Sequence, residues 1–91
     1  MNLQKRPVKN NDIAFRDIEA EVFAVAPQSG KFYTFNKVGS YIWGLTNNQN
    51  TIDQIIVKVT EKYDVAPEVA KTEVLNFISK MEDKGLIGFE S

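Results

Sequence analysis

Closely spaced carboxylates are the side chains of this sequence that most resemble a chemical site. Asp17, Glu19 and Glu21 alternate along the chain, and clustered carboxylates can bind Ca²⁺ or Mg²⁺. A hairpin bend is expected among them, and no Asp- and Asn-rich loop of the calcium-binding type follows. A solvated turn therefore explains these residues better than a metal site does, and we expect no metal ligands here.

The composition excludes most other enzymatic chemistry. The 91 residues include no Cys and no His, so the commonest general base and every thiol nucleophile are missing. Ser and Thr hydroxyls have no imidazole to activate them, which leaves a carboxylate dyad as the remaining catalytic arrangement. The sequence predicts a protein that is not an enzyme and that uses no cofactor.

Charge and hydropathy narrow the range of partners. The formal net charge is −1, which gives no strong attraction for polyanions. No run of 18 apolar residues occurs, and the basic residues Lys5, Arg6 and Lys9 are not followed by the apolar stretch of a signal peptide. We expect no nucleic-acid partner, no membrane partner and a cytoplasmic location.

Residue patterns predict three strands followed by three helices and a closing strand. Period-two alternation indicates strands over 13–18, 20–26 and 31–35, with a turn at Pro27–Gly30 between the last two. Apolar residues at helical spacing indicate helices over 37–45, from 52 to 63 and over 67–84, before a short strand at 86–89.

Capping residues mark the ends of these helices. Asn36 and Thr51 each precede a helical pattern and have side chains that can accept hydrogen bonds from free N–H groups of the first turn. Pro67 suits a first helical position, and Gly85 suits the end of the third helix. Trp43 lies off the apolar stripe of the first helix, and we interpret it as a second contact with the sheet rather than as a binding residue.

The predicted architecture is a single α+β domain over 12–91, preceded by a flexible polar arm over 1–11. Its last two helices and closing strand are winged helix-turn-helix-like, behind an N-terminal three-stranded antiparallel sheet. Helices cover only one side of so small a sheet, which leaves a strand edge that another chain can join. Such an edge also predicts a weak homodimer through 31–35 or through the N-terminal strand.

These elements carry a resemblance to a known family over about residues 12–88. The chain resembles the PqqD family, which contains the coenzyme PQQ synthesis protein D and related recognition domains of modified peptides. The resemblance depends on the order and spacing of Phe15-Arg16-Asp17-Ile18, Glu21-Val22, Pro27 through Gly30, Tyr33-Thr34-Phe35-Asn36, Gly39, Ile42-Trp43, Thr51 through Ile55, Tyr63-Asp64-Val65, Val74-Leu75, Phe77-Ile78 and Gly85-Leu86-Ile87. Ala20, where the family often has Gly, and Glu73, where Asp is common, are mild departures.

The resemblance implies a peptide chaperone. Such a domain binds the leader of a ribosomally made precursor peptide and presents it to a maturation enzyme, often a radical enzyme that uses S-adenosylmethionine. In the family the leader adds as a strand beside the third strand and packs against the third helix. The expected peptide-binding strand here is Lys31, Phe32, Tyr33, Thr34 and Phe35.

The third helix has an apolar arc that forms its core side. A row of residues along one border of that arc is expected to contact the peptide, in a groove shared with Phe32 and Thr34. The alternative is a broad buried face with two solvated ends. The arc is Ala70, Val74, Phe77, Ile78 and Met81, and the row is Lys71, Leu75, Ile78 and Glu82.

DNA binding is the second functional hypothesis, because a winged helix-turn-helix also suits a transcription regulator. The third helix has no Arg, and its acidic residues outnumber its lysines. DNA affinity depends largely on phosphate contacts by Lys and Arg, so this charge balance disfavours the regulator. The basic residues of the arm are the one feature that favours it.

Overall fold

A computed structural model describes residues 2–19, 21–26 and 29–90 of the chain. Within them, three helices and five strands form two antiparallel sheets, one of three strands and one of two. The elements are β1 (Arg6–Lys9), β2 (Ala14–Ile18), β3 (Glu21–Ala26), β4 (Lys31–Thr34), α1 (Lys37–Leu45), α2 (Ile52–Tyr63), α3 (Pro67–Asp83) and β5 (Ile87–Glu90). The predicted α+β class is confirmed.

The three-stranded sheet has the order β2-β3-β4, so β4 forms one of its edges. On β3, Val22, Ala24 and Ala26 are buried, whereas Phe23 and Val25 lie on the opposite face. Because side chains alternate along a strand, only one face of the sheet packs on the helices. The predicted turn ends at Gly30 with φ of 68°, while Pro27 and Gln28, like Ala20, lie outside the described residues.

Local capping fixes where the helices begin. The Asn36 side chain accepts a hydrogen bond from the Gly39 N–H at 2.8 Å. Thr51 and Gln54 form a reciprocal capping box at the start of α2. Pro67 is the first residue of α3, and Gly85 follows the helix with φ of 76°. These four sequence predictions are confirmed, and the helix bounds agree within one residue.

The predicted flexible arm over 1–11 requires a correction, because residues 6–9 form β1 and pair with β5. The Lys9 N–H donates to the Thr46 carbonyl at 3.2 Å, and the side chain of Pro7 is fully buried. Burial also lowers the pKa of the Lys9 ammonium. The segment has no apolar alternation, so its sequence gives no strand signal. Pairing with β5 orders it instead.

The core has two connected parts. In the first, Trp43 is 1% exposed and its ring centroid lies 5.3 Å from that of Phe35 and 5.5 Å from that of Phe15. Trp43 therefore joins α1 to the sheet, as predicted. The second part packs α2 on α3 through buried aliphatic residues, among them Ile55, Val74 and Ile78. No helix in the described ranges is long and apolar enough to cross a membrane.

Candidate functional site

The outer edge of β4 offers main-chain groups for another strand. The Phe35 N–H donates to the Val22 carbonyl at 3.0 Å, which fixes the direction in which β4 pairs with β3. Hydrogen-bonding groups alternate between the two sides of an antiparallel strand, so those of Phe32 and Thr34 point away from β3. No described strand pairs with that edge. Phe32 and Thr34 are thus the main-chain anchors available to an added strand.

A groove of about 270 Å³ lies between this edge and α3. Tyr33 and Phe35 reach it from the inner face of β4, Phe77 and Lys80 reach it from α3, and Lys84 reaches it from the C-cap of that helix. The rings of Phe35 and Phe77 meet edge to face, with centroids 5.2 Å apart. At the other end, the Lys84 ammonium stands 5.3 Å from the centroid of the Tyr33 ring. The groove therefore has an aromatic end and a cationic end.

Asn36 and Gly39 shape the aromatic end. Both line the groove, although the sequence pattern predicts only an N-cap role for Asn36. A Cβ atom on Gly39 would lie 3.1 Å from Cε1 of Phe77 and 3.2 Å from Oδ1 of Asn36. The absence of a side chain at Gly39 therefore lets the Phe77 ring lie directly against the start of α1.

The charge of the groove is uneven. Two lysines and no carboxylate are found among its described lining residues. Acidic residues line two adjoining cavities, where Glu73 lies beyond Phe77 and Asp12 lies beyond Lys84. The groove itself thus favours an anionic group, while each neighbouring cavity has a carboxylate of its own.

The predicted strand Lys31, Phe32, Tyr33, Thr34 and Phe35 is the groove-side edge of the sheet, but its side chains divide between two faces. Tyr33 and Phe35 face α3, while Phe32 and Thr34 face the opposite side. Phe32 is 61% exposed, and its ring lies 6.0 Å from that of Phe23 between centroids. With Ala14, Ile18, Phe23 and Val25, it forms an exposed apolar surface on the side of the sheet away from the helices, and we call this surface the outer face.

The predicted row on α3 lies on the wrong side of the helix. Ile78 is 0% exposed and belongs to the core with α2, and Leu75 packs on the same cluster. Lys71 lines a separate cavity between α2 and α3. At 100° per residue, Lys71, Leu75 and Glu82 lie roughly 120–160° around the helix from Phe77. The predicted groove between Phe32, Leu75 and Ile78 is therefore absent.

The physical reason is that an apolar arc has two borders. The predicted row lies on the border that carries Leu75, but β4 lies along the other border. That second border carries Lys80, Lys84 and Phe77, of which the sequence prediction names only Phe77, as a core residue. A signal was present in the sequence, because two lysines follow a large aromatic residue and lie within about 60° of it around the helix.

The carboxylates considered for metal binding lie at an exposed bend. Asp17 and Glu19 are exposed, and Glu19 has a positive φ of 54°, as expected at a tight bend. The described residues include no group of three or more His, Cys, Asp or Glu arranged to hold a metal ion. The interpretation as a solvated turn fits this geometry.

Fold and groove together define a small α+β domain with an open strand edge beside a helix. The family model described as PqqD, coenzyme PQQ synthesis protein D, matches residues 21–87. The match covers most of the chain, which therefore belongs to the PqqD family, and the resemblance noted in the sequence is confirmed. No curated protein matches the sequence.

Solved structures share the fold at low sequence identity. TbiB1 in complex with the TbiA(beta) leader peptide superposes with a TM-score of 0.83 and 20% identity, covering 92% of this chain and 98% of that one. Lasso peptide synthetase B1 complexed with the leader peptide superposes with a TM-score of 0.81 and 12% identity, covering 91% of this chain and 98% of that one. The third structure is the solution structure of the PqqD truncation of Methylobacterium extorquens PqqCD, a recognition element for ribosomally synthesised and modified peptides. It superposes with a TM-score of 0.72 and 18% identity, covering 90% of this chain and 87% of that one.

Proposed function

We propose that this protein binds the leader segment of a ribosomally synthesised precursor peptide and presents it to a modifying enzyme. The observation that carries the proposal is the open edge of β4 beside the groove of α3, with Phe32 and Thr34 offering main-chain partners. Two of the structures that share this fold contain bound leader peptides. Their likeness, together with family membership, supports the same class of ligand here.

Strand addition explains how one small groove can bind a peptide. Main-chain hydrogen bonds to Phe32 and Thr34 would set the register and direction of the peptide. Successive peptide side chains would then alternate, one set entering the groove against Tyr33, Phe35 and Phe77, and the other lying beside Phe32 on the outer face. The main-chain hydrogen bonds and the groove contacts together give the affinity, and the side-chain contacts give the selectivity.

The proposed role is binding rather than catalysis, in a cytoplasmic setting. The chain has no His and no Cys, and in this proposal the covalent chemistry belongs to a separate maturation enzyme, such as a radical S-adenosylmethionine enzyme. What this protein contributes is an ordered peptide, because a strand held on β4 has lost its conformational freedom before the enzyme meets it.

Amide chemical-shift mapping tests the proposal. Overlapping synthetic peptides that cover candidate precursor peptides, read from short neighbouring genes, would be titrated into ¹⁵N-labelled protein. We expect shifts at residues 31–35 and along the 77–84 side of α3. Phe77→Ala should weaken binding about 5- to 150-fold, since truncated interface anchors commonly cost about 1–3 kcal/mol.

Leu75→Ala is the matched control, because Leu75 is a half-buried apolar residue on the opposite side of α3. It should lower the free energy of unfolding and leave the affinity of the folded protein unchanged. Shifts confined to α2 or β5, or equal losses of affinity in both variants, would contradict binding at β4.

The DNA-binding alternative is not favoured. The solved structures that share the fold are peptide complexes and a peptide recognition element, and α3 has two lysines against four acidic residues. Fluorescence anisotropy with duplex DNA at about 0.15 M salt should show no specific binding. Sub-micromolar affinity that falls steeply with salt would instead indicate a regulator.

A further inference from the structure

We infer that the groove selects leader peptides in which an apolar or aromatic residue and a carboxylate stand two positions apart. This inference rests on the proposed function, since it concerns the chemistry that the same groove recognises. It assigns separate roles to the two ends of the groove and names Lys80 and Lys84 as specificity-determining residues.

The apolar requirement comes from the aromatic end. Phe35 is 6% exposed and Phe77 is half-buried, and their edge-to-face contact gives a wall with no charged group of its own. Gly39 allows the Phe77 ring to lie against the start of α1. A polar peptide side chain packed against the two rings would lose water without gaining a hydrogen bond from them, whereas an apolar one gains buried area.

The carboxylate requirement comes from the cationic end. Lys84 sits over the ring of Tyr33, and Lys80 lies one helical turn earlier on the same side of α3. The C-terminus of α3 carries a partial charge of only about −0.5. Glu82 and Asp83 also lie in this last turn, but neither lines the groove, so the two ammonium groups are the charges that face it. A peptide carboxylate between the lysines would therefore be attracted, and a peptide Lys or Arg would be repelled.

Strand geometry sets the spacing of the two requirements. Along β4, Phe35 meets Phe77 and Tyr33 meets Lys84, so β4 and α3 run in opposite directions past the groove. Tyr33 and Phe35 are two residues apart, about 6.6–6.8 Å along a strand. An added strand has the same repeat, so consecutive groove-facing side chains meet the aromatic end and the cationic end in turn.

The adjoining cavities confine the acidic preference to one position. Glu73 lies beyond the aromatic end in a cavity that Lys80 also lines, and Asp12 lies beyond the cationic end in a cavity that Lys84 also lines. A second peptide carboxylate one step further in either direction would therefore meet a lysine that already has a carboxylate beside it. The groove thus favours a single acidic residue at a defined distance from the apolar one, rather than acidic peptides in general.

The test uses a library of random twelve-residue peptides displayed on their own messenger RNA and selected on the full chain. For the wild type, the enriched peptides should share an Asp or Glu two positions from an aromatic or aliphatic residue. Selection on the double variant Lys80→Glu and Lys84→Glu should replace that acidic residue with Lys or Arg. Peptides enriched by the wild type should bind the double variant about 5- to 30-fold more weakly, as expected for two partly solvated ion pairs.

The matched control is the double variant Lys58→Glu and Lys71→Glu, which changes the net charge equally at two exposed lysines away from the groove. It should return the wild-type pattern, and circular dichroism would confirm that both variants are folded. Enriched peptides without the acidic residue, or with the same residue in all three proteins, would overturn the inference and leave the proposed function intact. If no peptide is enriched, both fail.

Discussion

Gly39 and Phe77 are packed so closely that a Cβ atom at Gly39 would stand 3.1 Å from Phe77 Cε1. Such a distance is shorter than nearly all real Cβ contacts, so one partner must move if a methyl group is added. Phe77 forms the α3 wall of the groove. Its ring is the partner that can move, because it is a side chain, whereas a Cβ atom at position 39 would be fixed to the backbone of α1. The shape of the groove thus depends on a residue that contributes no side chain to it.

Gly39→Ala should weaken leader binding more than it destabilises the fold. Alanine favours the helix by about 1 kcal/mol relative to glycine, which offsets part of the strain of the new contact. Displacement of the Phe77 ring, however, narrows the aromatic end, and we expect an affinity loss of about 10-fold. Calorimetry with a bound peptide and urea unfolding of the free protein would separate the two effects. Gly44→Ala, in the same helix with open space around it, should leave affinity unchanged.

Ser40 connects α1 to the groove-side strands through a buried hydroxyl. Its Oγ accepts the Val22 N–H at 2.8 Å and donates to the Phe35 carbonyl at 3.3 Å. Ser40→Ala leaves both backbone groups without that partner, so the free energy of unfolding should fall by about 1–3 kcal/mol. Ser79→Ala, at an exposed position of α3, should change it by less than about 0.5 kcal/mol. Equal values for the two variants in urea unfolding would refute the bridging role.

Elements with a local signal were predictable from the sequence. Asn36 and Thr51 cap helices by hydrogen bonds to residues three positions away, and the apolar periods of α1, α2 and α3 cover whole helices. β1 was not predictable, because its order depends on a partner strand about 80 residues away and its own sequence, Arg-Pro-Val-Lys, has no apolar alternation. Capping and periodicity identify an element only where nearby residues of the sequence stabilise it.

The candidate site was half predictable for the same reason. The edge strand at 31–35 follows from strand order, since a turn joins it to β3 and a helix follows it. The choice of helix face did not follow. Leu75 and Phe77 lie on opposite borders of one apolar arc, and only the direction of α3 across the sheet decides which border meets β4.

Removal of residues 1–9 should destabilise the domain strongly, in contrast to the behaviour of a flexible arm. The truncation exposes the area buried by Pro7 and deletes the ladder between β1 and β5. Burial of one such side chain and several ladder bonds together predict a loss of at least about 3 kcal/mol. Arg6→Ala, an exposed position of β1, serves as the control and should have little effect. Unchanged urea unfolding after truncation would show that β1 adds nothing to stability.

Thr34→Pro should block strand addition without breaking the sheet. The Thr34 N–H points to the open edge rather than to β3, so proline removes a donor that only an added strand would use. Peptide affinity should fall at least about 5-fold, with a near-native far-ultraviolet spectrum. Tyr33→Pro removes a donor that points at β3, and it should unfold the sheet. If both variants bind like the wild type, β4 is not the binding edge.

The same edge should support a weak homodimer in the absence of peptide. Unpaired main-chain groups on β4 and the apolar outer face beside Phe32 both invite a second copy. The strand edge has only four residues, so it forms few main-chain hydrogen bonds and we expect weak association. Sedimentation velocity should therefore show dimer only at high micromolar to millimolar concentration. Both Thr34→Pro and saturating peptide should abolish it. A dimer that persists under both conditions would have to form elsewhere, with β2 as the other open edge of the described sheet.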